Sequence, residues 1–305
     1  MTVGGIIRRQ GWGGRSVRFL EDHLPKIMLA PSFIAVLIFV YGFIGWTAWV
    51  SLTRSKLLPK YEIDSFIQYE RLFSSLRWDT AFGNLFVFGG LFIVIAMILG
   101  LMLAIFLDQN IRTEGAIRTI YLYPMALSMI VTGTAWKWIL NPGLGLESMV
   151  QGWGFETFTF DWLVNPDKAI YTIVLAAIWQ SSGFVMALFL AGLRSVDGEI
   201  IKAAQIDGIP TWRTYSAIII PSMAPIFLSA FIVLAHLAIK SFDLVIALTG
   251  GGPGFATDLP ATYMFAMAFS RGDIGQAASS AMVMMGVVFT IVVPYLYSEL
   301  RVKND

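Results

Sequence analysis

Six long apolar runs dominate the sequence and constrain its fold more than any other feature. A helix needs roughly 20 residues to cross the hydrocarbon core of a bilayer. The runs are continuous rather than alternating, which favours helices over a barrel, and helices satisfy their own backbone hydrogen bonds in lipid. We therefore predict an all-α integral membrane protein with six transmembrane helices. Their predicted bounds are 27–50, 82–107, 118–140, 169–193, 222–248 and 276–297.

The composition agrees with this fold class and excludes several functions. Of the 305 residues, 57% are hydrophobic and 13% are charged, about half the charged share of a soluble domain. The net charge is +1 and no basic tract is present, so we expect no nucleic-acid partner. The absence of cysteine excludes disulfides, thiolate metal sites and cysteine nucleophiles.

The distribution of Lys and Arg predicts the orientation in the membrane. With the N-terminus placed in the cytoplasm, twelve of the 21 Lys and Arg residues lie in inner segments and eight in outer ones, which follows the positive-inside rule. We divide the chain into a cytoplasmic tail at 1–26, a transmembrane domain at 27–298 and a second cytoplasmic tail at 299–305. The loop at 195–221 then also lies in the cytoplasm.

The sequence carries no recognisable catalytic motif. It has no P-loop for ATP and no HExxH zinc motif. Its two histidines, His23 and His236, are far apart, and neither has partners for a hydrolytic triad. We expect no enzyme activity, and no cofactor or metal ion in this chain. If this chain moves a solute uphill, another molecule must supply the energy.

The fifth apolar run contains three polar residues. His236, Lys240 and Asp243 have the spacing i, i+4, i+7, which places them on one face of a continuous helix. A charged side chain inside a span costs about 2.5–3.5 kcal/mol on insertion scales, so each must face protein or water. One interpretation is the polar lining of a transport path. The other is a neutral Lys240–Asp243 pair that fixes helix packing.

The loop at 195–221 predicts two short helices joined by a rigid turn. Asp197 can cap the first helix, and Glu199 favours the positive end of its dipole. Gly208 can take the left-handed conformation that ends this helix, and Pro210 or Thr211 can begin the next one. The predicted apolar face of the first helix consists of Ile200, Ile201, Ala203 and Ala204. A rigid helix lying along the membrane surface can transmit a displacement, which a flexible loop cannot.

This loop resembles a known motif. Ala203-Ala204, then Asp207-Gly208, Ile218 and Ile220-Pro221, resemble the EAA loop of ABC importer permeases. The segments "AWKWILNPGLG" and "FDLVIALTGGGPGFAT", with Asn84, resemble the permeases of binding-protein-dependent sugar uptake systems, which include maltose and glycerol-phosphate importers. The stretch from "LDQNIRTEG" to "NPGLGLE" is similar, more narrowly, to glucose/mannose-type permeases of Gram-negative bacteria.

The resemblance implies which loop residues contact an ATPase. One position departs from the motif, since Lys202 replaces its glutamate, and Glu199, one turn earlier, offers an acidic group instead. The implied coupling residues are Glu199, Lys202, Ala203, Ala204, Asp207, Gly208 and Pro221.

The resemblance also implies a fold, partners and a substrate. We expect the type I ABC importer permease fold in a bacterial inner membrane, in contact with lipid. The partners would be a second, homologous permease, a dimer of cytoplasmic ABC ATPase subunits that bind ATP and Mg²⁺, and a periplasmic sugar-binding protein. The substrate would be a sugar, a monosaccharide such as glucose or mannose. Its path is expected at His236, Lys240, Asp243 and Asn84.

Two other functions remain open from the sequence. An ion-coupled secondary transporter would use Lys240 and Asp243 as a relay, and it predicts internal repeats with matching broken helices; we see no convincing repeat. A scaffolding subunit without transport would leave the polar residues of the fifth run unexplained.

Overall fold

The structure, a computed structural model, describes residues 26, 28–58, 60, 62–109 and 112–302. In this part of the chain the regular elements are helices, and extended pairing is confined to one isolated bridge between Thr53 and Ile63. The predicted all-α class is confirmed. Most of the predicted N-terminal tail and residues 303–305 lie outside the described residues.

Thirteen helices are distinguished along the described chain. In order they are α1 (Met28–Ser51), α2 (Ile67–Phe73), α3 (Leu76–Leu107), α4 (Glu114–Leu122), α5 (Met129–Ile139), α6 (Leu146–Gly152), α7 (Ala169–Leu193), α8 (Gly198–Ile206), α9 (Thr211–Ser222), α10 (Ala224–Ile239), α11 (Asp243–Leu248), α12 (Pro260–Phe265) and α13 (Ile274–Val302).

Four of the six predicted spans are confirmed as single helices. Among the described residues, α1, α3, α7 and the Ile274–Tyr295 part of α13 are long and apolar enough to cross a membrane. A fifth span is present if α9 and α10, whose axes are bent by 67° relative to each other, cross the membrane together. Helix α13 continues to Val302 and so includes residues 299–302 of the predicted tail.

The predicted third span, 118–140, is wrong as a continuous helix. The sequence predicts a kink at Pro124, but α4 ends at Leu122, a 3₁₀ turn follows, and the backbone is extended at Leu127 before α5 begins. Proline removes a backbone donor and clashes with the preceding turn. Beyond this proline, the Leu127 carbonyl accepts a hydrogen bond of 2.8 Å from Gln180 Nε2 of α7. The break is therefore stabilised by a helix distant in sequence.

The predicted fifth span, 222–248, ends earlier than expected. Helix α10 stops at Ile239, and the chain turns at Ser241 and Phe242 before α11 starts at Asp243. The turn lets α11 pack against α5, where a Cβ added to Gly133 would lie 2.7 Å from the Ala247 Cβ. Close packing against α5, a tertiary contact, accompanies the change of direction.

The core is centred on α3 and α7. Ala96, Gly100 and Ala104 of α3 are buried, and a Cβ on Gly100 would lie 2.6 Å from Val185 of α7. Small residues at this spacing allow two helices to approach closely. The apolar window of α7 is 72% buried and that of α1 is 0% buried, so α7 is central and α1 lies at the periphery.

The bundle has two ends with different polar contacts. We call the end that carries Asp108, Arg194 and the 195–221 loop the loop end. The opposite end, with α2, the start of α3 and the segment at 249–258, is called the mouth end. Each end joins residues that are distant in sequence: Tyr215 contacts Asp108 at the loop end, and Arg77 contacts Asp258 at the mouth end.

Candidate functional site

The 195–221 loop has the predicted helix–turn–helix form. Asp197 Oδ1 accepts a hydrogen bond of 2.9 Å from the Glu199 backbone N–H and so caps α8. After α8, Gly208 has a φ of +70°, the left-handed conformation that favours glycine. Helix α9 then begins at Thr211, directly after Pro210. The turn chemistry predicted from the sequence is confirmed.

The predicted apolar face of α8 is divided between two environments. Ala204 is buried and Ile201 packs against the main hydrophobic core, whereas Ile200 and Ala203 are exposed. The four residues therefore do not form one exposed face, because α8 uses part of that face to rest on its own bundle, and their contact with an ATPase stays a prediction. Pro221 is exposed in the last turn of α9, just before the bend into α10.

Two large apolar side chains of this loop point outward and were missed by sequence reasoning. Ile206 at the end of α8 is 86% exposed, and Trp212 at the start of α9 is 72% exposed. The sequence feature that could have indicated them is a large apolar residue on each side of the predicted tight turn. Exposed apolar residues that flank a rigid turn are suited to insertion into a partner's pocket.

The replaced motif position forms an ion pair within α8. Lys202 Nζ lies 2.9 Å from Glu199 Oε1, and both side chains are strongly exposed. An exposed pair of this kind contributes about 0–1 kcal/mol. The pair makes this patch of α8 nearly neutral, rather than acidic as the motif implies.

A polar network ties the 195–221 loop to the helix ends at the loop end of the bundle. We call it the joint and define it by Asp108, Gln109, Glu114, Arg194 and Tyr215. Tyr215 Oη donates to Asp108 Oδ2 at 2.7 Å and accepts from Gln109 Nε2 at 3.1 Å. Arg194 Nη2 lies 2.9 Å from Glu114 Oε2, and Arg194 Nε lies 3.9 Å from Asp108 Oδ1. The joint therefore connects four separate segments of the chain.

Ionisation within the joint favours its present hydrogen bonds. The hydrogen bond from Arg194, together with that residue's charge and that of Arg118, lowers the pKa of Glu114 against the opposing effect of burial. The same hydrogen bond raises the pKa of Arg194. Burial, and then the hydrogen bond to Asp108, raises the pKa of Tyr215 to about 12. At neutral pH, Tyr215 is a donor and Glu114 is an acceptor.

The polar residues of the fifth run are not on one continuous helix, so that prediction is wrong. His236 lies in the last turn of α10, Lys240 caps its C-terminus and Asp243 begins α11. All three are exposed. No ion pair joins Lys240 to Asp243 in the described part of the chain, so the interpretation as a neutral packing pair is also wrong. His236 additionally borders an apolar cavity of about 270 Å³ between α10 and α13.

Asn84 lies at the mouth end, apart from these three residues. Its Nδ2 donates to the backbone carbonyls of Ala256 and Asp258, at 2.8 and 3.0 Å. The adjacent Arg77 Nε lies 2.5 Å from Asp258 Oδ2, whose side chain is 2% exposed. We call Arg77, Asn84 and Asp258 the latch. The substrate role of Asn84 stays a prediction, but its amide hydrogens already hold the 249–258 segment.

Sequence reasoning also missed two polar atoms inside the bundle. Gln180 Oε1 and Thr132 Oγ1 are buried and have no hydrogen-bond partner among the described residues. A buried polar atom without a partner costs free energy, so such atoms mark places where another group can bind. In the described part of the chain, no three His, Asp or Glu residues are grouped so as to hold a metal ion.

Known proteins similar to this chain are membrane permeases. Residues 96–301 match the family described as "Binding-protein-dependent transport system inner membrane component". A probable ABC transporter permease of Pyrococcus horikoshii is 37% identical over 90% of this chain and 95% of its own length. A xylose/arabinose import permease of Haloferax volcanii is 36% identical over 95% of this chain and 93% of its own.

Structural similarity gives the same fold. A solved bacterial ABC transporter involved in alginate import superposes with a TM-score of 0.81 and 20% sequence identity. The match covers 94% of this chain and 99% of that chain. At this identity the match concerns the fold, and the predicted ABC importer permease fold is confirmed.

Proposed function

Since this chain belongs to the family of binding-protein-dependent transport system inner membrane components, we propose that it is the transmembrane permease subunit of an ATP-driven sugar importer. The observation that carries the proposal is the helix–turn–helix at the loop end. It is rigidly capped, attached to the bundle by the joint, and exposes Ile206 and Trp212. Such a surface is suited to a partner that supplies the energy.

The partner at this surface is proposed to be a dimer of cytoplasmic ABC ATPase subunits that bind ATP and Mg²⁺. Ile206 and Trp212 provide apolar anchors. The small, exposed side chain of Ala203 allows the ATPase to approach α8 closely. Because the Glu199–Lys202 pair is internally neutralised, docking depends on apolar fit more than on charge. ATP binding would close the ATPase dimer, α8 would follow, and the spans would switch the side to which the path opens.

The polar residues around the end of α10 are proposed to line the sugar path. His236, Lys240 and Asp243 are exposed, and among the described ion pairs none joins Lys240 to Asp243. Unpaired polar groups in a largely apolar region must face water or a partner. A second permease across the path would enclose them, and sugar hydroxyls would bind their donors and acceptors. The external partner is proposed to be a periplasmic sugar-binding protein.

We infer that the substrate is a monosaccharide such as glucose or mannose. The glucose/mannose-like stretch of the sequence supports a hexose. A relative of 36% identity is named as a xylose/arabinose permease, and one from Thermococcus litoralis of 28% identity as a trehalose/maltose permease. Uptake of labelled hexoses, pentoses and disaccharides by the same complex would separate these possibilities.

The test of the function is solute uptake by the reconstituted complex. Proteoliposomes holding this chain, a second permease and the ATPase, with the binding protein added, should take up sugar when ATP is present. An ion gradient alone should drive none. Gradient-driven uptake by this chain without an ATPase would show a secondary transporter and overturn the proposal. Asp243→Ala should reduce uptake in a correctly assembled complex, whereas Asp167→Ala, in an outer loop, should not.

The proposed location is a bacterial inner membrane, with both termini and the 195–221 loop in the cytoplasm. Because the chain contains no cysteine, Ile206→Cys would introduce a single thiol at the loop. A membrane-impermeant thiol reagent should label it only after intact cells are permeabilised. Labelling in intact cells would show that the loop lies outside the cytoplasm and would overturn the proposed orientation.

A further inference from the structure

Four segments of the chain meet at the joint. Asp108 and Gln109 follow α3, Glu114 begins α4, and Arg194 follows α7. Tyr215 belongs to the 195–221 loop and is separated from Asp108 by 107 positions. The α3 and α7 segments form the centre of the core. The joint therefore links the coupling loop to the two most central helices of the bundle.

The ion pairs of the joint are partly open to water. The side chains of Arg194, Asp108 and Glu114 are 43%, 25% and 25% exposed, so water competes for part of their interaction. The joint is distinguished by what it connects, since Tyr215 of the loop is hydrogen-bonded to Asp108 and Gln109, which follow α3.

The contacts by which α8 itself rests on the bundle are apolar packing. Ile201 and Ala204 rest on the core through apolar packing, which is non-directional and permits sliding. Hydrogen bonds depend on distance and angle, so the Tyr215–Asp108 contact of 2.7 Å resists sliding. Tyr215 also opens a π-helical turn at Tyr215–Ile219, a local insertion that is frequent at functional sites.

We propose that the joint transmits the movement of the coupling loop into α3 and α7, with Tyr215 as its central positioning residue. Without the joint, α8 can follow the ATPase while the spans remain behind. ATP is then hydrolysed without a matching movement of solute. This inference rests on the proposed function, and it adds the place where the loop is mechanically attached to the path.

The first test is Tyr215→Phe in the reconstituted importer, with ATP hydrolysis and sugar uptake measured in the same vesicles. We expect about a tenfold fall in sugar transported per ATP hydrolysed, the order of effect of losing a hydrogen bond to a charged group. Co-purification with the ATPase should stay near wild type, and the thermal midpoint should fall by no more than the loss of one hydrogen bond explains. Tyr123→Phe is the matched control, because Tyr123 is 66% exposed and makes no hydroxyl hydrogen bond within the described residues.

The second test replaces the hydrogen bond by a covalent link. The natural lack of cysteine allows Gln109→Cys and Tyr215→Cys to be joined by a short bifunctional thiol reagent. The reduced double variant should be uncoupled like Tyr215→Phe, and cross-linking should restore sugar transported per ATP. Each single-cysteine variant, treated with the same reagent, controls for modification alone.

The outcomes separate this inference from the function on which it rests. If the wild-type complex shows no ATP-driven uptake, the proposed function fails, and the inference fails with it. If wild-type uptake is ATP-driven but Tyr215→Phe keeps its yield per ATP, the inference alone is overturned. It is also overturned if cross-linking abolishes transport, or if hydrolysis, assembly and uptake fall together, which would indicate a purely structural role.

Discussion

The latch and the joint lie at opposite ends of the bundle and connect distant segments in different ways. At the latch, the side chain of Asp258 is 2% exposed, and Arg77 and Asn84 of α3 both hold its segment. At the joint, the acids Asp108 and Glu114 are each 25% exposed, close to the 26% of Arg77 at the latch, so the two sites differ chiefly in the burial of the acid. The mouth end therefore has a fully buried acid, and the loop end has acids that water can reach.

The difference in burial between the latch and the joint predicts different effects of substitution at the two sites. Removing one partner from a buried ion pair leaves a charge without compensation, which is costly. Removing a partner from an exposed network costs little folding free energy. Changes at the latch should thus reduce the folded population, whereas changes at the joint should alter transport in a protein that still folds.

The largest expected effect on stability is at the latch. Asp258→Ala should destabilise the protein by about 3 kcal/mol, because Arg77 loses its partner in a largely buried site. The measurement is thermal unfolding of the protein in detergent. The matched control is Asp64→Ala at the exposed Arg54–Asp64 pair, where we expect less than about 1 kcal/mol. Equal losses at both sites would contradict the comparison.

Two glycines with positive φ provide the next test. Gly251 has a φ of +87° and an added Cβ would lie 2.5 Å from Asp258 Oδ1, whereas a Cβ on Gly208 at φ +70° meets open space. Gly208→Ala should cost about 1–2 kcal/mol of backbone strain. Gly251→Ala should cost more, because it also displaces the Asp258 carboxylate. Thermal midpoints compare the two variants directly.

Asparagine sharpens the test at the coupling turn. Asn tolerates the left-handed conformation better than Ala, so Gly208→Asn should recover much of the stability and uptake lost in Gly208→Ala. If the two substitutions impair uptake equally, the backbone conformation is not the reason for glycine at this position.

The joint predicts a smaller effect that depends on pH. The pKa of Glu114 is lowered from its ordinary value of 4.5, chiefly by the hydrogen bond from Arg194. The resulting stabilisation is fully present above pH 4.5 and is lost as the pH falls through the lower, folded-state pKa. The thermal midpoint of the wild-type protein should therefore be higher than that of Glu114→Gln at neutral pH. The difference between the two midpoints should shrink as the pH falls. A difference independent of pH would contradict this assignment.

The smallest effect is expected at the exposed pair of α8. Lys202→Gln breaks an interaction worth about 0–1 kcal/mol and restores an unpaired acid at Glu199. Folding stability should be nearly unchanged. Salt-dependent binding of the ATPase should change instead, because screening acts on exposed charges. Co-purification at low and high salt measures this, with Lys168→Gln, directly before α7 and away from the loop end, as the control.

Prediction from the sequence succeeded where the determining contacts are local. Asp197, Gly208 and Pro210 each act on the backbone within a few residues, and the predicted cap, turn and helix start are all present. Prediction failed where distant groups compete with the local pattern. The break after Pro124 is stabilised by Gln180, and the polar spacing of the fifth run is interrupted because the chain turns after Ile239.

The sequence by itself determined the all-α membrane class, the turn at Gly208 between α8 and α9 and the absence of a nucleotide-binding loop, because apolar run length and turn chemistry are local properties. Only the tertiary structure decided which polar residues work together. The latch joins Arg77 to Asp258 across 181 positions, and the joint joins Asp108 to Tyr215 across 107. Hydrogen bonds require contact in space, and separation along the chain does not reveal which groups will meet.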